Sequence, residues 1–569
     1  MLLRNILGAF RGPNGKKYNH LGPTQFSQIF ILKETMTTCV YEKAIAALNG
    51  LQSNAAYLQK ARAERSSKAY QNIIDTKHHL ETLHITLSDV DSLNIIHIAG
   101  TKGKGSTCAF TENILRNHGY KTGFYSSPHL ISVNERIRIN GNPLSKEKFA
   151  VYFWEVYDAI KCNLKEEERM PSYFLFLTVM AFYVFIKEKV EATIIEVGIG
   201  GLYDCTNFIR KPVAVGITTL GIDHVNLLGG TITEIAEQKA GIMKSGVPAF
   251  TVSQPENALR VLRKKAQVVQ CPLVLSPPLE SYENKISLGI QGVVQSVNAS
   301  LALQLSHCWL TSIKFIDQNS SSTQQLQHFE NLYLNEELPL MIADTFFINK
   351  ETHLALENCI WPGRFQTLEK DRLTFYLDGA HTHESMKHCG RWFEEAVLKH
   401  NTKFKLPALK VLYFNCTGER RAESLLDPLA DIHFDVVLFS PNKISNIKDT
   451  ASDLSNFMVE PAQEMQQCIA NNEIWCHLMR SLYENQLSIS NYSSSNFAGN
   501  EASIDCDNTV IFPSITDAID WISSLNYQRT DQEIKVRKLR ETLLGAHHVH
   551  VLVTGSLHLV GGVLSLIQS

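Results

Sequence analysis

Short, wholly apolar runs alternate along the chain with longer stretches in which apolar residues recur at helical spacing. Ile95, Ile96, Ile98 and Ala99 form one such run, followed by Gly100, Gly103 and Gly105. Ala109, Phe110, Ile114 and Leu115 then repeat with the period of a helix until Gly119 stops it. This reads as strand, glycine loop and helix, with Ser106 as the expected N-cap. Upstream, Tyr41 to Leu51 and Ala55 to Leu87 read as helices. Downstream, Lys121 to Leu130 is a short strand running into a Ser-Ser-Pro loop, and Ser145 opens a helix with Phe149, Phe153 and Tyr157 on one face.

Tyr173 to Ile186 is almost continuously apolar and predicts a buried helix. Ala192 to Val197 and Val213 to Leu220 are strand runs. Thr231 with Glu234 forms a capping box that opens a helix through about Lys244. Val247 to Val252 is a strand, Pro255 opens a helix, Pro272 to Leu275 is a strand, and an apolar helix covers Val297 to Leu310. Residues 318–327 are polar and read as a loop insertion. A second unit begins near residue 345, with strands at Leu373 to Leu377, Val411 to Asn415, Val436 to Ser440 and His550 to Thr554. The Ser/Asn-rich stretch 487–508 reads as a disordered insert. Strands alternating with helices predict an α/β chain with parallel sheets covered on both faces.

The length of 569 residues requires more than one core. The expected organisation is a leader at 1–35, a first α/β domain at 36–345 and a second at 346–569. Hydrophobic content of 44% with 20% charged residues fits a globular protein, and the net charge of −3 supplies no drive toward nucleic acid. Twelve cysteines without a Cys-x-x-Cys pair argue for free thiols in a reducing compartment. The apolar run at 173–186 is shorter than the ~20 residues that span a bilayer. Arg4, Arg11, Lys16, Lys17 and Lys33 all precede the first acidic residue, Glu34, in the manner of an organellar transit peptide. Met36 then offers a second start. A mitochondrial matrix form from Met1 and a cytosolic form from Met36 are the expectation.

A glycine loop followed by a helix N-terminus presents free N–H groups and a positive dipole end to an anion. Lys102 and Lys104 add full charges, so the loop reads as a phosphate cradle. It departs from the general phosphate-loop signature, which ends Gly-Lys-Ser/Thr, because Gly105 separates Lys104 from Ser106. Ligands of open α/β sheets sit beyond the carboxyl ends of the strands. Ser126, Ser127, Glu196, Asp223 and His224 all fall at such ends. Magnesium takes oxygen ligands and bridges phosphates, which suits Ser127 and Glu196, with His224 at a second cation position. In the second unit, Trp361-Pro-Gly-Arg364 ends in an arginine able to grip a phosphate or carboxylate, Asp378 and His381 close the Leu373 strand, and Thr554-Gly-Ser556 closes the last one.

Taken in order, these stretches resemble folylpolyglutamate synthases, members of the ligase superfamily that includes the bacterial Mur enzymes. The resemblance runs from about Thr38 to Gly562. It rests on Gly100–Thr107, Ser126–Leu130 with Glu135–Gly141, Glu196–Gly201, Gly221–His224, Lys239–Ile242, Trp361–Arg364, Leu377–His381 and Val553–Ser556. The displaced Gly105 is that family's own form of the loop. The resemblance implies an N-terminal Mur-ligase-like phosphate-loop ATPase domain and a C-terminal Rossmann-like α/β domain. It implies that Gly103, Lys104, Gly105 and Ser106 hold ATP phosphates, that Ser127, Glu196 and His224 hold magnesium, and that Arg364 and Asp378 contact the nucleotide. His381 and Ser556 would contact incoming glutamate, and Lys239 matches a lysine that bacterial relatives carry as a carbamate. Lys104, His381 and Lys239 are the expected catalytic groups.

The implied reaction is ATP-dependent addition of L-glutamate to the γ-carboxylate of tetrahydrofolate, with magnesium, and with potassium as a further cation. A monomer is expected, with peripheral association with the mitochondrial membrane. Three other activities share part of this pattern. A dihydrofolate synthase shares the ATP chemistry. A phosphate-loop kinase or mechanical ATPase would need an uninterrupted Gly-Lys-Ser/Thr. A catalytically dead binding protein would have lost motif positions that are all occupied here.

Overall fold

The computed structural model describes residues 38–52, 70–166, 168–282, 285–317, 340–404, 408–416, 420–445, 461–490, 508–523 and 534–568. The expected leader at 1–35 and the polar stretch at 318–327 lie outside them. Two sheets organise the chain. The first contains β1 (Ile95–Ala99), β2 (Thr122–Tyr125), β3 (Ile137–Ile139), β4 (Asn142–Pro143), β5 (Ala192–Glu196), β6 (Ala214–Ile217), β7 (Ala249–Thr251) and β8 (Leu273–Leu275). Their spatial order is β4-β3-β2-β5-β1-β6-β7-β8. β1 lies between β5 and β6, parallel to both, and only β3 and β4 run antiparallel to their neighbours.

Alternation along β1 sends side chains to both faces. Ile95 packs with Phe176, Phe182 and Phe185 of the helix Tyr173–Glu188, in the core beside the helix Lys146–Asn163. Ile96 and Ile98 pack on the other side with Phe110 and Ile114 of the helix Lys104–Asn117 and with Leu305 and Trp309 of the helix Val294–Asp317. All five residues of β1 are buried, which is why this strand reads as an unbroken apolar run.

The second sheet contains β9 (Gln366–Lys370), β10 (Leu373–Leu377), β11 (Ala408–Phe414), β12 (Val436–Phe439), β13 (Thr509–Ile511) and β14 (His548–Thr554), in the order β13-β12-β11-β14-β10-β9. All pairs are parallel except β9 with β10. One face, including Phe375, Val551 and Val553, packs on the helices Ile515–Ser523 and Leu557–Ile567. The other, including Tyr376, Leu412 and Leu552, packs on the helix His383–Phe404.

The structure departs from the sequence expectations at particular elements. The helix expected to run to Leu87 ends at Thr82, His84 takes a left-handed φ of 59°, and a separate helix Leu87–Asp91 starts there. Its Thr86 and Asp89 cap each other, which rewards the break. The short strands β3, β4, β9 and β13 were not anticipated; β4 and β9 are too exposed to carry an apolar signature. The helix Pro461–Ser490 reaches into the expected disordered insert, so residues 487–490 are helical, while 491–507 lie outside the described residues. The helix Lys350–Glu357 falls beyond the expected border at 345/346 yet packs in the first core. Ala355 and Leu356 join that core directly, and His118 Nε2 lies 2.9 Å from Thr352 Oγ1. Among the described residues no helix is long and apolar enough to cross a membrane.

Candidate active site

The loop after β1 is shaped by two glycines in conformations that side chains resist. Gly100 has φ 153°, and a Cβ there would lie 1.8 Å from Thr218 Oγ1. Gly103 has φ 86° and a Cβ there would lie 2.1 Å from Asn298 Oδ1. Gly103, not Ser106, is the N-cap, because its left-handed backbone ends the loop and the helix starts at Lys104. Ser106 is buried within the first turn. The loop backbone is tied down from β6, with Thr101 and Lys102 amides both donating to Thr219 O at 3.0 Å.

The two sheets meet over this loop. Gly105, Ser127 and Glu196 from the first unit line one cavity together with Trp361, Arg364 and Leu557 from the second. A Cβ on Gly105 would lie 3.0 Å from Trp361 Nε1, so the Trp361-Pro-Gly-Arg364 turn rests directly on the cradle. Glu196 is buried, and its Oε2 accepts from the Ser127 amide at 3.2 Å. Burial raises its pKa, opposed chiefly by the Lys104 ammonium and then by the Ser127 amide and Arg364. A desolvated carboxylate facing cationic groups in a cavity is an oxygen donor suited to a hard cation.

His224 stands apart from that cavity lining. It is exposed, with a left-handed φ of 52°, at the head of the short helix Val225–Leu228. Lys239 is not the solvated surface lysine that helix position alone suggests. It is buried at the end of the helix Ile232–Ala240, and its Nζ donates to Gly100 O at 2.8 Å. Burial, then the Lys104 charge, brings its pKa down to about 7.

A second cluster joins the units nearby. Lys102 Nζ lies 3.1 Å from Asp223 Oδ2 and 3.1 Å from His381 Nε2. His381 Nδ1 donates to Gly379 O at 2.7 Å, leaving Nε2 toward the cleft. Burial lowers the His381 pKa to about 4 despite the Asp223 carboxylate 3.7 Å away. Asp223 is held well below the usual carboxylate range by His381 and Lys102, which overcome its desolvation.

Asp378 is buried, with Oδ2 accepting from the Phe365 amide at 3.0 Å and Oδ1 from the Ala380 amide at 2.9 Å. It therefore braces the turn that carries Arg364, whose next residue, Phe365, has a left-handed φ of 44°. Ser556 is buried at the N-terminus of the last helix and accepts from Asn442 Nδ2 at 3.2 Å; Asn442 in turn accepts from Asn415.

Sequence reasoning missed Arg420. It stands beyond the carboxyl end of β11, and burial lowers its pKa against the opposing charge of Asp223. Its charge also reaches Lys102 and His381. The strand-end rule that singled out Glu196 applies equally to Glu419-Arg420-Arg421 after Val411–Asn415 and was the available signal.

No family model matches the chain. Among curated proteins, a mitochondrial folylpolyglutamate synthase of Homo sapiens is 44% identical over 557 residues, covering 93% of this chain and 92% of that protein. The Bos taurus counterpart is 42% identical over 553 residues, with the same two coverages. An Arabidopsis thaliana folylpolyglutamate synthase is 35% identical over 559 residues, 93% of this chain and 88% of that protein. Among solved structures, Mycobacterium tuberculosis folylpolyglutamate synthase complexed with ADP superposes with a TM-score of 0.65 at 18% identity, covering 94% of this chain and 99% of that one. A bifunctional folylpolyglutamate synthase/dihydrofolate synthase from Yersinia pestis, complexed with AMPPNP and a Mn ion, gives a TM-score of 0.55 at 18% identity, covering 91% and 99%.

Proposed function

The chain belongs to the folylpolyglutamate synthase family, and from that premise we infer how its cleft works. The protein is an ATP-dependent ligase that adds L-glutamate to the γ-carboxylate of tetrahydrofolates, making folylpolyglutamates for one-carbon metabolism. It uses ATP and a divalent cation, with folate and glutamate as substrates.

A carboxylate is a poor electrophile, so the folate γ-carboxylate must first take the γ-phosphoryl group of ATP. The amino group of free glutamate then attacks the acyl phosphate, phosphate leaves, and an amide remains. No side-chain nucleophile is required, and none is assigned. The residue roles are our proposal. The Gly103 amide and its successors Lys104, Gly105 and Ser106 hold the phosphates, with Lys104 countering charge on the transferring group. Arg364 reaches the same cavity from the other unit, and Asp378 fixes the turn that presents it.

Ser127 and Glu196 would hold magnesium, with His224 at a further position, and a cation held there would counter the negative charge of the phosphates. Lys239, with a pKa near 7, offers a neutral amine fraction capable of carbamate formation. His381, Ser556 and Arg420 border the space for glutamate, and Arg420 supplies a cation for one of its carboxylates. Catalysis is then mostly positioning, worth up to ~7–11 kcal/mol in well-oriented systems.

The observation that supports this reading best is the Trp361–Arg364 turn resting on Gly105, since it brings a second-unit arginine to a phosphate cradle and Glu196. The test is incubation with ATP, tetrahydrofolate and labelled glutamate, with product chain length read by mass spectrometry. Lengthened folates are expected. Turnover only with dihydropteroate would replace the reading with dihydrofolate synthesis, and ATP hydrolysis without glutamate incorporation would defeat it.

We further propose a domain border near residue 360, after the helix that joins the first core, and a monomeric enzyme associated peripherally with the mitochondrial membrane. The human and bovine relatives are named as mitochondrial, which supports a mitochondrial location here. Alternative starts at Met1 and Met36 would supply matrix and cytosol.

A further inference from the structure

At the end of the second sheet remote from the catalytic cleft, three histidines converge. His548 and His550 are alternate residues of β14, so both face the helix His383–Phe404, which contributes His400. One ring nitrogen from each of the three lies within 4.8 Å of the others. The rings of His400 and His548 stack with centroids 4.4 Å apart, and those of His400 and His550 meet edge-on at 4.8 Å.

We propose that His400, His548 and His550 form a binding site for a divalent transition-metal ion of the zinc class. Imidazole nitrogen is a preferred donor for such ions, and three imidazoles with an open fourth position is an established donor count for zinc. The surroundings supply the outer partners that metal-bound histidines require. His548 Nε2 lies 2.8 Å from Thr374 Oγ1, and His550 Nε2 lies 3.0 Å from Asn401 Oδ1. Each contact occupies one ring nitrogen and fixes the plane of the ring. His550 Nδ1 is held by the Tyr376 hydroxyl at 3.2 Å, a bond that coordination through Nδ1 would displace.

Register places two charged residues beside the cluster. Thr374 of β10 pairs with His550 on one side and with Glu369 of β9 on the other, while Lys410 of β11 pairs with His550 across the strand. Glu369 is exposed on the strand next to Thr374. His400 and His548 are part-exposed, giving the ion a path in, whereas His550 is buried.

The location gives such an ion a mechanical role. The helix that carries His400 begins two residues after His381, and β14 ends two residues before Ser556. An ion joining His400 to His548 and His550 would clamp together the two elements that deliver His381 and Ser556 to the cleft.

The test uses full-length protein stripped with a chelator, dialysed, and held in excess Mg2+ and ADP so that the cleft is filled. Titration with Zn2+ followed by calorimetry should show one additional ion per chain and a raised melting temperature. Co2+ should give the visible absorption of a tetrahedral site, and Zn2+ should abolish it. His400→Gln and His548→Gln, with wild-type circular dichroism, should each weaken Zn2+ binding by more than ~10-fold, and Thr374→Val by about 10-fold. Equal Zn2+ affinity in wild type and both glutamine variants would overturn the proposal. Zinc-edge X-ray absorption on the wild type serves if a variant fails to fold: three imidazole ligands are expected, and fewer than three would overturn it.

Discussion

Lys102 Nζ stands 3.1 Å from His381 Nε2, so an ammonium from the loop after β1 reaches a histidine from the loop after β10. The same ammonium lies 3.1 Å from Asp223, so Lys102 joins a carboxylate of the first unit to a histidine of the second. The consequence is electrostatic as well as mechanical. Lys102 depresses the His381 pKa and Asp223 raises it, with burial setting the overall fall to about 4.

Lys102→Met should therefore raise the His381 pKa, because Asp223 is left unopposed. The kcat/KM for glutamate should fall on the acid side at a higher pH than in the wild type. An acid limb in the same position would show that Lys102 and His381 are not coupled in solution.

Lys104→Ala should reduce folate-dependent glutamate incorporation by at least ~10²-fold, the scale for removing a charge-stabilising donor from a reacting centre. Circular dichroism should stay as in the wild type, since the helix retains its Gly103 cap and its buried face. Wild-type turnover in the labelled-glutamate assay would remove Lys104 from the cradle.

Glu196→Gln keeps the shape of the side chain and its bond from the Ser127 amide while deleting the charge. The Mg2+ concentration giving half-maximal activity should rise about 10-fold or more. An unmoved Mg2+ titration would assign Glu196 to pairing with Lys104 and Arg364 alone.

Gly103→Ala and Gly105→Ala should separate by mechanism. Gly103 is left-handed, where a Cβ costs about 1–2 kcal/mol, and Asn298 Oδ1 blocks the space. Gly105 lies in the first helical turn, where alanine is favoured over glycine by about 0.5–1 kcal/mol, and only the Trp361 indole must move. Urea unfolding should show Gly103→Ala destabilised by more than ~1 kcal/mol. Gly105→Ala should remain near wild type in stability while its tryptophan fluorescence shifts. Adding Asn298→Ala should recover part of the Gly103→Ala loss.

His97 predicts an acid-side loss of stability. It is fully buried in β1, its Nε2 lies 2.9 Å from Thr206 Oγ1, and burial with the Lys244 charge lowers its pKa to about 3. The unfolded chain binds this proton near pH 6.5 and the native state only near 3. Stability is thus complete above about 6.5 and declines by about 1.4 kcal/mol per pH unit between those values. His97→Gln should flatten the slope of unfolding free energy against pH by about one proton in that range. An identical slope would mean that His97 titrates normally in the native protein.

The elements that the sequence marked correctly are those whose burial is nearly complete. β1, β5, β10 and the helix at 173–188 are apolar on every side that matters, so their signal survives without knowledge of the partners. β4 and β9 are short and exposed, and hydrogen bonds to a neighbour, not composition, make them strands. The same distinction governs the cleft. Gly100, Gly103, Lys104, Glu196 and Arg364 could be selected because glycine, charge and strand ends are local properties.

Other features had no local sign. Lys239 is buried with its ammonium bonded to Gly100 O, 139 positions away, and the Lys102–His381 contact spans 279. Arg420 comes within the electrostatic reach of Asp223 only in the folded chain, and the imidazole cluster exists only because one helix crosses two alternate residues of β14. By itself the sequence determined which backbone could turn, which runs had to be buried and which family of chemistry the chain carries. Tertiary structure alone decided which charges share a low-dielectric space, because separation in space, not along the chain, sets electrostatic coupling.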